Sequence, residues 1–470
     1  MSLGPRKNVA DLDLRGMRVT VVGLARSGYA ACKVLSERGA SVLATDASPA
    51  ESLRVDVAEL SRRGVRLETG GHRPESFLEA DLIILSPGVD LRLPPLAQAF
   101  RRGIPVWSEV ELAYRLTAAR FIGVTGTKGK GTTATLIGDI LQRAGREVVV
   151  AGNIGRPLCD VGPDLPGDAW VVAELSSFQL ETIVSFRPHV AVLLNLAPDH
   201  LDRYATLSDY YAAKARIFQG QGSEDFAVLN ADDPLVLEYA QGIHACIRLF
   251  SRMKAVGDGA FKSQDRLLLR RNGRTQSICQ VSAIRARGGH MLEDALAACA
   301  AAGVLGVDPK PMAEAMEAFG GRPHCMEMVA EIGGIRYVND SKATNVFAVR
   351  RALEGWAEPV ILIMGGRDKR EDFRPLTAVL QSRAKAVIAM GEAREKILEA
   401  IGDCCPTERA EGMADAVTKA SQRAIRGDTV LLSPGCTSFD MFRNAEDRGN
   451  AFRRVVHELQ ARGERIERLG

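Results

Sequence analysis

The stretch that constrains this chain most is Phe121-Ile-Gly-Val-Thr-Gly-Thr-Lys-Gly-Lys-Gly-Thr-Thr133. An apolar strand runs into a glycine-rich turn, and residues 134–141 continue as a helix with an apolar face. Such a turn aims backbone N–H groups and a helix N-terminus at one point, which suits a polyphosphate. Lys130 adds a flexible cation for the outer phosphates. The match to a Walker A loop is incomplete. Val124 stands at the first glycine position, and Gly131 replaces the Ser or Thr that follows the lysine. An ordinary strand–turn–helix connection would use the same residues.

A chain of 470 residues is too long for one core and suggests about three domains. Hydrophobic content of 46% and charged content of 25% are those of a globular protein. The formal charge of +3 comes with no basic stripe, which argues against nucleic acid as a partner. Residues 1–11 lack the apolar core of a signal peptide, and no run of about 18 uncharged apolar residues follows. A cytoplasmic protein without membrane insertion is expected. The nine cysteines form no CxxC pair and read as free thiols in a reducing compartment.

The pattern is α/β throughout, with short apolar strands alternating with helical stretches. Met17-Arg-Val-Thr-Val-Val22 reads as a buried strand, followed by Gly23-Leu-Ala-Arg-Ser-Gly28 and a helix over 30–38. A second strand, Ser41-Val-Leu-Ala-Thr45, ends at Asp46. That is the outline of a dinucleotide-type β-α-β unit with Ala25 in place of the middle glycine. The turn after Leu82-Ile-Ile-Leu85 faces the same crevice. Further strands are predicted at 147–151, 169–174, 190–195, 359–364 and 428–432. Boundaries near residue 108 and in the Gly- and Pro-containing Phe319-Gly-Gly-Arg-Pro-His324 divide the chain into 1–108, 109–321 and 322–470.

Several polar islands follow strands. Trp170-Val-Val-Ala-Glu174 puts a carboxylate at a strand end beside the phosphate loop, a position from which Mg²⁺ is commonly held. A helix-start acid is the alternative. Asn195-Leu-Ala-Pro-Asp-His-Leu-Asp-Arg203 groups a histidine with acids, where a lone histidine is ordinarily a hydrogen-bonded loop residue. Lys214, in the helical Tyr210-Tyr-Ala-Ala-Lys-Ala-Arg-Ile-Phe218, reads by default as a solvated lysine.

Taken in order, seven segments resemble the Mur ligases, the ATP-dependent amide-forming enzymes of peptidoglycan precursor synthesis. They are Thr125-Gly-Thr-Lys-Gly-Lys130, Gly152-Asn-Ile-Gly155, Glu174-Leu-Ser-Ser-Phe-Gln-Leu-Glu181, Asp199-His-Leu-Asp-Arg203, Asn339-Asp-Ser-Lys-Ala-Thr-Asn345, Leu432-Ser-Pro434 and Asp440-Met-Phe442. The resemblance covers nearly the whole chain, and Asn339-Asp-Ser-Lys-Ala-Thr-Asn345 is similar to the branch that adds D-glutamate. It implies a Rossmann-like UDP-binding domain, a central ATPase domain of the P-loop type and a C-terminal Rossmann-like domain with amino-acid contacts. It also implies a monomer acting on UDP-MurNAc-L-Ala, D-glutamate and ATP, with Mg²⁺, two ions being expected.

Carried over onto this sequence, the resemblance makes Lys130, His200, Lys214 and Lys369 catalytic. ATP would meet Gly126, Thr127, Lys128, Gly129, Lys130, Gly131, Thr132, Asp340 and Lys342. The UDP precursor would meet Ser27, Asp46, Gly88, Asn153, Ser176 and Gln179, and D-glutamate would meet Thr344, Lys369, Ser433 and Phe442. Glu174, His200 and a carbamylated Lys214 would hold metal. Some positions depart from the family pattern. Gly131 replaces a hydroxyl residue, Lys128 an asparagine, Met291 and Asp294 amides near adenine, and Cys325 an arginine contacting phosphate. Two other readings share these features. One is a folylpolyglutamate-synthase-like ligase, whose loop also has glycine after the lysine; the other is a catalytically weak nucleotide-sugar-binding paralogue.

Overall fold

The structure is a computed structural model that describes residues 12–153, 155–161, 165–200, 203–284, 289–354, 356, 359–369 and 371–467. The signal-peptide expectation for residues 1–11 lies outside the described residues. So do Ile154, Leu201 and Asp202 of the motifs above. The chain forms two compact units, Met1–Cys279 with Ala295–Ala315, and Gln280–Asp294 with Met316–Gly470.

The first unit holds two sheets. One comprises β1 (Arg18–Val22), β2 (Ser41–Asp46), β3 (Arg66–Thr69), β4 (Leu82–Leu85) and β5 (Val106–Ser108), all parallel in the order β3-β2-β1-β4-β5. Parallel strands covered on both faces must be apolar at every position, and β4 is buried at all four. Strand order reverses between β1 and β4, so a crevice opens at their carboxyl ends. Gly23 (φ 87°) turns the chain there into the helix Arg26–Glu37, which starts four residues before the expected one. A Cβ on Gly28 would stand 1.8 Å from the Gly23 carbonyl oxygen, so the turn closes only with glycine.

The second sheet comprises β6 (Arg120–Thr125), β7 (Val148–Gly152), β8 (Trp170–Glu174), β9 (Val190–Leu193), β10 (Phe226–Asn230), β11 (Cys246–Ser251), β12 (Gly259–Ser263), β13 (Arg266–Arg271) and β14 (Arg274–Gln280). Its order is β14-β13-β12-β11-β10-β9-β6-β8-β7, parallel until β13 returns against β12. β6 lies between β9 and β8, so its carboxyl end is a second switch point. The two sheets share one apolar core, in which Val34 and Leu35 join Leu112, Leu116 and Phe121.

The helix Glu109–Leu116 connects the sheets, and its first two acids are wholly buried. The Glu111 carboxylate accepts the N–H groups of Val184, Ser185 and Phe186 and a 2.7 Å bond from Arg115. Glu109 accepts the Cys159 N–H at 2.6 Å, and its Oε2 has no hydrogen-bond partner among the described residues. Burial pushes its carboxyl from 4.5 up to about 7. Between those values the folded chain keeps a proton that the unfolded chain releases, so stability falls as pH rises through that window and levels above it. Glu109→Gln should therefore melt higher than wild type at about pH 8 and alike at about pH 4. Parallel melting profiles for the two proteins across that range would contradict this.

The second unit is built on β15 (Glu327–Ile332), β16 (Ile335–Asn339), β17 (Val360–Gly365), β18 (Ala384–Met390), β19 (Thr407–Arg409) and β20 (Thr429–Leu432), ordered β15-β16-β20-β17-β18-β19. Only the β15–β16 hairpin is antiparallel. Side chains alternate along β17. Val360, Leu362 and Met364 enter one core, while Ile361 and Ile363 enter the other.

Candidate active site

Val124, at the end of β6, lies opposite Glu174, at the end of β8. The chain then turns through Gly126 (φ 149°) and Gly129 (φ 86°), the left-handed residue that caps the helix Lys130–Arg143. That helix begins four residues earlier than expected. The amides of Thr127 and Lys128, expected to cradle phosphate, instead donate to Asn195 O and Oδ1 at 3.0 and 2.9 Å. The amides of Lys130, Gly131 and Thr132 open the helix and have no acceptor within it, so these are the ones that suit an anion.

Three lysines surround this loop. Lys130 Nζ donates to the Gly126 and Thr127 carbonyls at 2.9 and 3.0 Å. Lys214 Nζ also donates to Gly126 O at 2.9 Å and lies 4.5 Å from the Tyr210 ring centroid. Only 2% of Lys214 is exposed, which corrects its reading as a solvated lysine: the helix Leu207–Ala215 turns this position onto the loop. Burial, and then the nearby Lys130 charge, push its ammonium well below the usual lysine range, although Asp199 and Glu174 oppose the shift. Lys128 Nζ sits 3.4 Å from Asp199 Oδ2. Burial alone would raise the Asp199 carboxyl, but Lys128 and His200 hold it below its ordinary value.

Glu174 is buried at a strand end, and the next helix, Ser177–Leu180, is capped by Ser176. The helix-start reading of Glu174 is thereby set aside. Asn153 holds it, donating from its N–H to Glu174 O at 2.9 Å and from Nδ2 to Oε1 at 3.4 Å. His200 adopts φ 56°, uncommon for any residue but glycine. Its ring meets Phe178 at 4.8 Å and Tyr210 at 5.8 Å, and the Tyr210 hydroxyl donates to Thr127 Oγ1 at 3.3 Å. Loop, Lys214, Tyr210, His200 and Phe178 thus form one continuous wall. Among the described residues no three His, Cys, Asp or Glu side chains close around a metal. A Mg²⁺ ion held at Glu174 or His200 would take its other ligands from phosphate and water.

The crevice of the first sheet collects Ser27, Asp46 and Gly88, three of the six residues expected to meet the precursor. Ser27 lies in the first turn of Arg26–Glu37, and Gly88 is exposed in the turn after β4. Asp46 braces the loop, accepting the Leu24 N–H at 2.6 Å and the Ser48 N–H at 2.8 Å. Exposed Asn153 follows β7, and Ser176 and Gln179, after β8, bond to each other in a capping box. Gln179 Nε2 is buried and finds no acceptor among the described residues.

In the second unit, Asp340 accepts from Ser433 Oγ at 3.0 Å and from the Met326 N–H at 3.2 Å. Ser433 is wholly buried, so in this structure its hydroxyl serves Asp340. Lys342 pairs with Glu446 at 3.3 Å, Thr344 and Phe442 are half-buried, and Lys369 is exposed in the turn after β17. Sequence reading passed over Arg448, which is wholly buried. It donates to Ser341 Oγ and O at 3.0 and 2.8 Å, Cys436 O at 3.0 Å and Gly365 O at 3.4 Å. It therefore ties together the loops that carry Asp340 and Lys342, Ser433, and Lys369.

Three family models match: the Mur ligase MurD-like N-terminal domain over residues 17–108, the Mur ligase middle domain over 124–302, and the Mur ligase glutamate ligase domain over 324–436. The UDP-N-acetylmuramoylalanine--D-glutamate ligase of Pelotomaculum thermopropionicum is 42% identical over 457 residues, covering 95% of this chain and 99% of that protein. The chain belongs to the Mur ligase family. The enzyme of the same name from Acidobacterium capsulatum is 43% identical over 447 residues, covering 95% and 97%. Among solved structures, a pseudomurein peptide ligase type C from Methanothermus fervidus shares the fold with a TM-score of 0.60 at 19% identity, covering 94% of this chain and 100% of that one.

Mur ligases are ATP-dependent and generally use Mg²⁺. In this Mur ligase the departures have defined surroundings. Cys325 sits between His324 (φ 63°) and Met326 (φ 47°), and burial pushes its thiol up to about 11. Met291 and Asp294 are buried on the helix Gly289–Val304. Gly131 accepts a 2.8 Å bond from Thr135 at its carbonyl. Among the described residues no helix is long and apolar enough to cross a membrane.

Proposed function

We infer that this Mur ligase joins D-glutamate to UDP-N-acetylmuramoyl-L-alanine, converting ATP to ADP and phosphate. The wall formed by the loop, Lys214, Tyr210 and His200 carries the reading, and relatives bearing that name over nearly their full length support it. The L-alanyl carboxylate attacks the γ-phosphorus of ATP, the D-glutamate amine attacks the resulting acyl phosphate, and the tetrahedral intermediate expels phosphate. Activation is required because a free carboxylate is a poor electrophile. The first step brings two anions together, so cations and N–H donors must be concentrated there.

Lys130 would exchange its two loop carbonyls for phosphate oxygens, and the helix amides of Lys130–Thr132 would face the same anion. Glu174 and His200 would hold Mg²⁺, two ions being our assignment, and the metal would neutralise triphosphate charge. Ser27, Asp46, Gly88, Asn153, Ser176 and Gln179 are assigned to the precursor, Asp340 and Lys342 to ATP, and Thr344, Lys369, Ser433 and Phe442 to D-glutamate. Domain limits of 1–108, 109–321 and 322–470 belong to the same reading, as do a cytoplasmic site of action and a monomeric state.

Phosphate release tests the assignment. It should require UDP-MurNAc-L-Ala and D-glutamate together and stay at background with pteroate and L-glutamate; release with the latter pair alone would overturn it. Lys369→Ala should raise the KM for D-glutamate about tenfold or more while ATP binding persists, since a charged hydrogen bond to a dicarboxylate is lost. An unchanged D-glutamate KM would remove Lys369 from the site.

Lys214 is assigned as the carbamylated lysine. A neutral amine is the form that captures CO₂, and the resulting N-carboxylate replaces a metal-repelling cation with an acceptor. Lys214→Ala should lose activity and regain part of it with short carboxylic acids. An intact mass showing no added CO₂, together with no rescue, would refute the assignment.

A further inference from the structure

Arg203 is not among the residues assigned above, yet its side chain bonds to two separate parts of the first unit, the turn after β4 and Glu181. Its Nη1 donates to Pro87 O at 3.3 Å, and its Nη2 donates to Val89 O and Glu181 Oε2, both at 2.8 Å. The guanidinium carbon lies 4.3 Å from the Phe178 ring centroid. Only 14% of the Arg203 side chain and 12% of Glu181 are exposed, so these bonds are shielded from competing water. The backbone is committed as well. The Arg203 and Tyr204 N–H groups both donate to His200 O at 3.1 Å, holding the turn in which His200 keeps its left-handed φ.

We propose that Arg203 is a positioning residue that locks the Ser86-Pro-Gly-Val89 turn in register with the His200 turn, so that a sugar-nucleotide seated on the first is aimed at the chemistry of the second. This rests on the assignment of Gly88 to the UDP precursor. A planar fork suits the task. It presents several fixed N–H vectors and stacks on an aromatic face, whereas a lysine ammonium is a single point on a flexible stem. Glu181 fixes one side of the fork and supplies the countercharge that Pro87 and Val89 lack. Removing the fork leaves the half-buried Pro87 and Val89 carbonyls without this donor and frees that turn from Glu181 and Phe178.

The test uses full-length Arg203→Gln and Arg203→Lys. Amide exchange over residues 87–91 of the ligand-free protein should quicken about tenfold, the factor expected when a charge-assisted hydrogen bond goes. UDP-MurNAc-L-Ala should bind about tenfold more weakly by calorimetry while ADP affinity stays within about twofold, a split that general destabilisation does not give. Arg203→Lys should behave like Arg203→Gln. Wild-type exchange and precursor affinity in Arg203→Gln would overturn the proposal, as would full restoration by lysine or a matching loss of ADP affinity. If the wild-type protein fails to bind UDP-MurNAc-L-Ala, the precursor assignment fails instead, and the exchange rates still decide whether Arg203 holds the turn.

Discussion

Lys130→Ala is expected to lose about a thousandfold in kcat/KM while remaining folded. The magnitude comes from charge. A cation about 4 Å from a phosphate oxygen, at an effective dielectric near 20, contributes about 4 kcal/mol, which corresponds to about three powers of ten in rate. Lys130 is half-buried and donates to the Gly126 and Thr127 carbonyls of its own loop. The neighbouring cations do not compensate. Burial, and then the Lys130 charge, push the Lys214 ammonium well below the usual lysine range, and Lys128 is engaged with Asp199. Steady-state kinetics beside circular dichroism would check this. A folded variant retaining more than about a tenth of wild-type kcat/KM would contradict the role given to Lys130.

Arg448→Met should destabilise the second unit by about 3–5 kcal/mol, at the upper end of single substitutions. Methionine fills much of the same volume and avoids the desolvation of a charge, which burial has already pulled down to about 10 in pKa. Against that gain stand the Ser341, Cys436 and Gly365 carbonyls and the Ser341 hydroxyl, all of which lose a donor in the interior. Each stranded buried acceptor costs about 1–3 kcal/mol, so the loss outweighs the gain. Activity should fall too, because the loops bearing Asp340, Lys342, Ser433 and Lys369 meet at this guanidinium. Denaturant unfolding reads the effect; an unchanged midpoint would show that the apolar replacement compensates.

The strands of the doubly wound sheets were legible because covered parallel strands must be apolar on both faces. Trp170–Glu174 and Thr429–Leu432 fall within a residue of expectation for that reason. The start of Lys130–Arg143 was not legible. Gly131, Thr132 and Thr133 are poor helix formers, and the left-handed Gly129 overrides their propensity. Strands β13 and β14 escaped notice as well, since arginines and polar residues shorten or break their apolar runs, and β10 was missed although Phe226–Asn230 is as apolar as the strands that were read. The site divides along the same line. Lys130, Glu174 and His200 announce themselves by standing at strand ends, whereas the burial of Lys214 depends on a helix packing against Gly126 some 88 positions away. Sequence reading gave Arg203 and Arg448 no role of their own, because most of their acceptors are backbone carbonyls, which leave no pattern in side-chain sequence.

In the proposed reaction the precursor carboxylate becomes phosphorylated in front of Lys130. With ¹⁸O placed in the L-alanyl carboxylate of UDP-MurNAc-L-Ala, the released phosphate should carry one labelled oxygen per turnover, seen by mass spectrometry. Unlabelled phosphate accompanying full product formation would rule out the acyl phosphate and, with it, the role assigned to the loop.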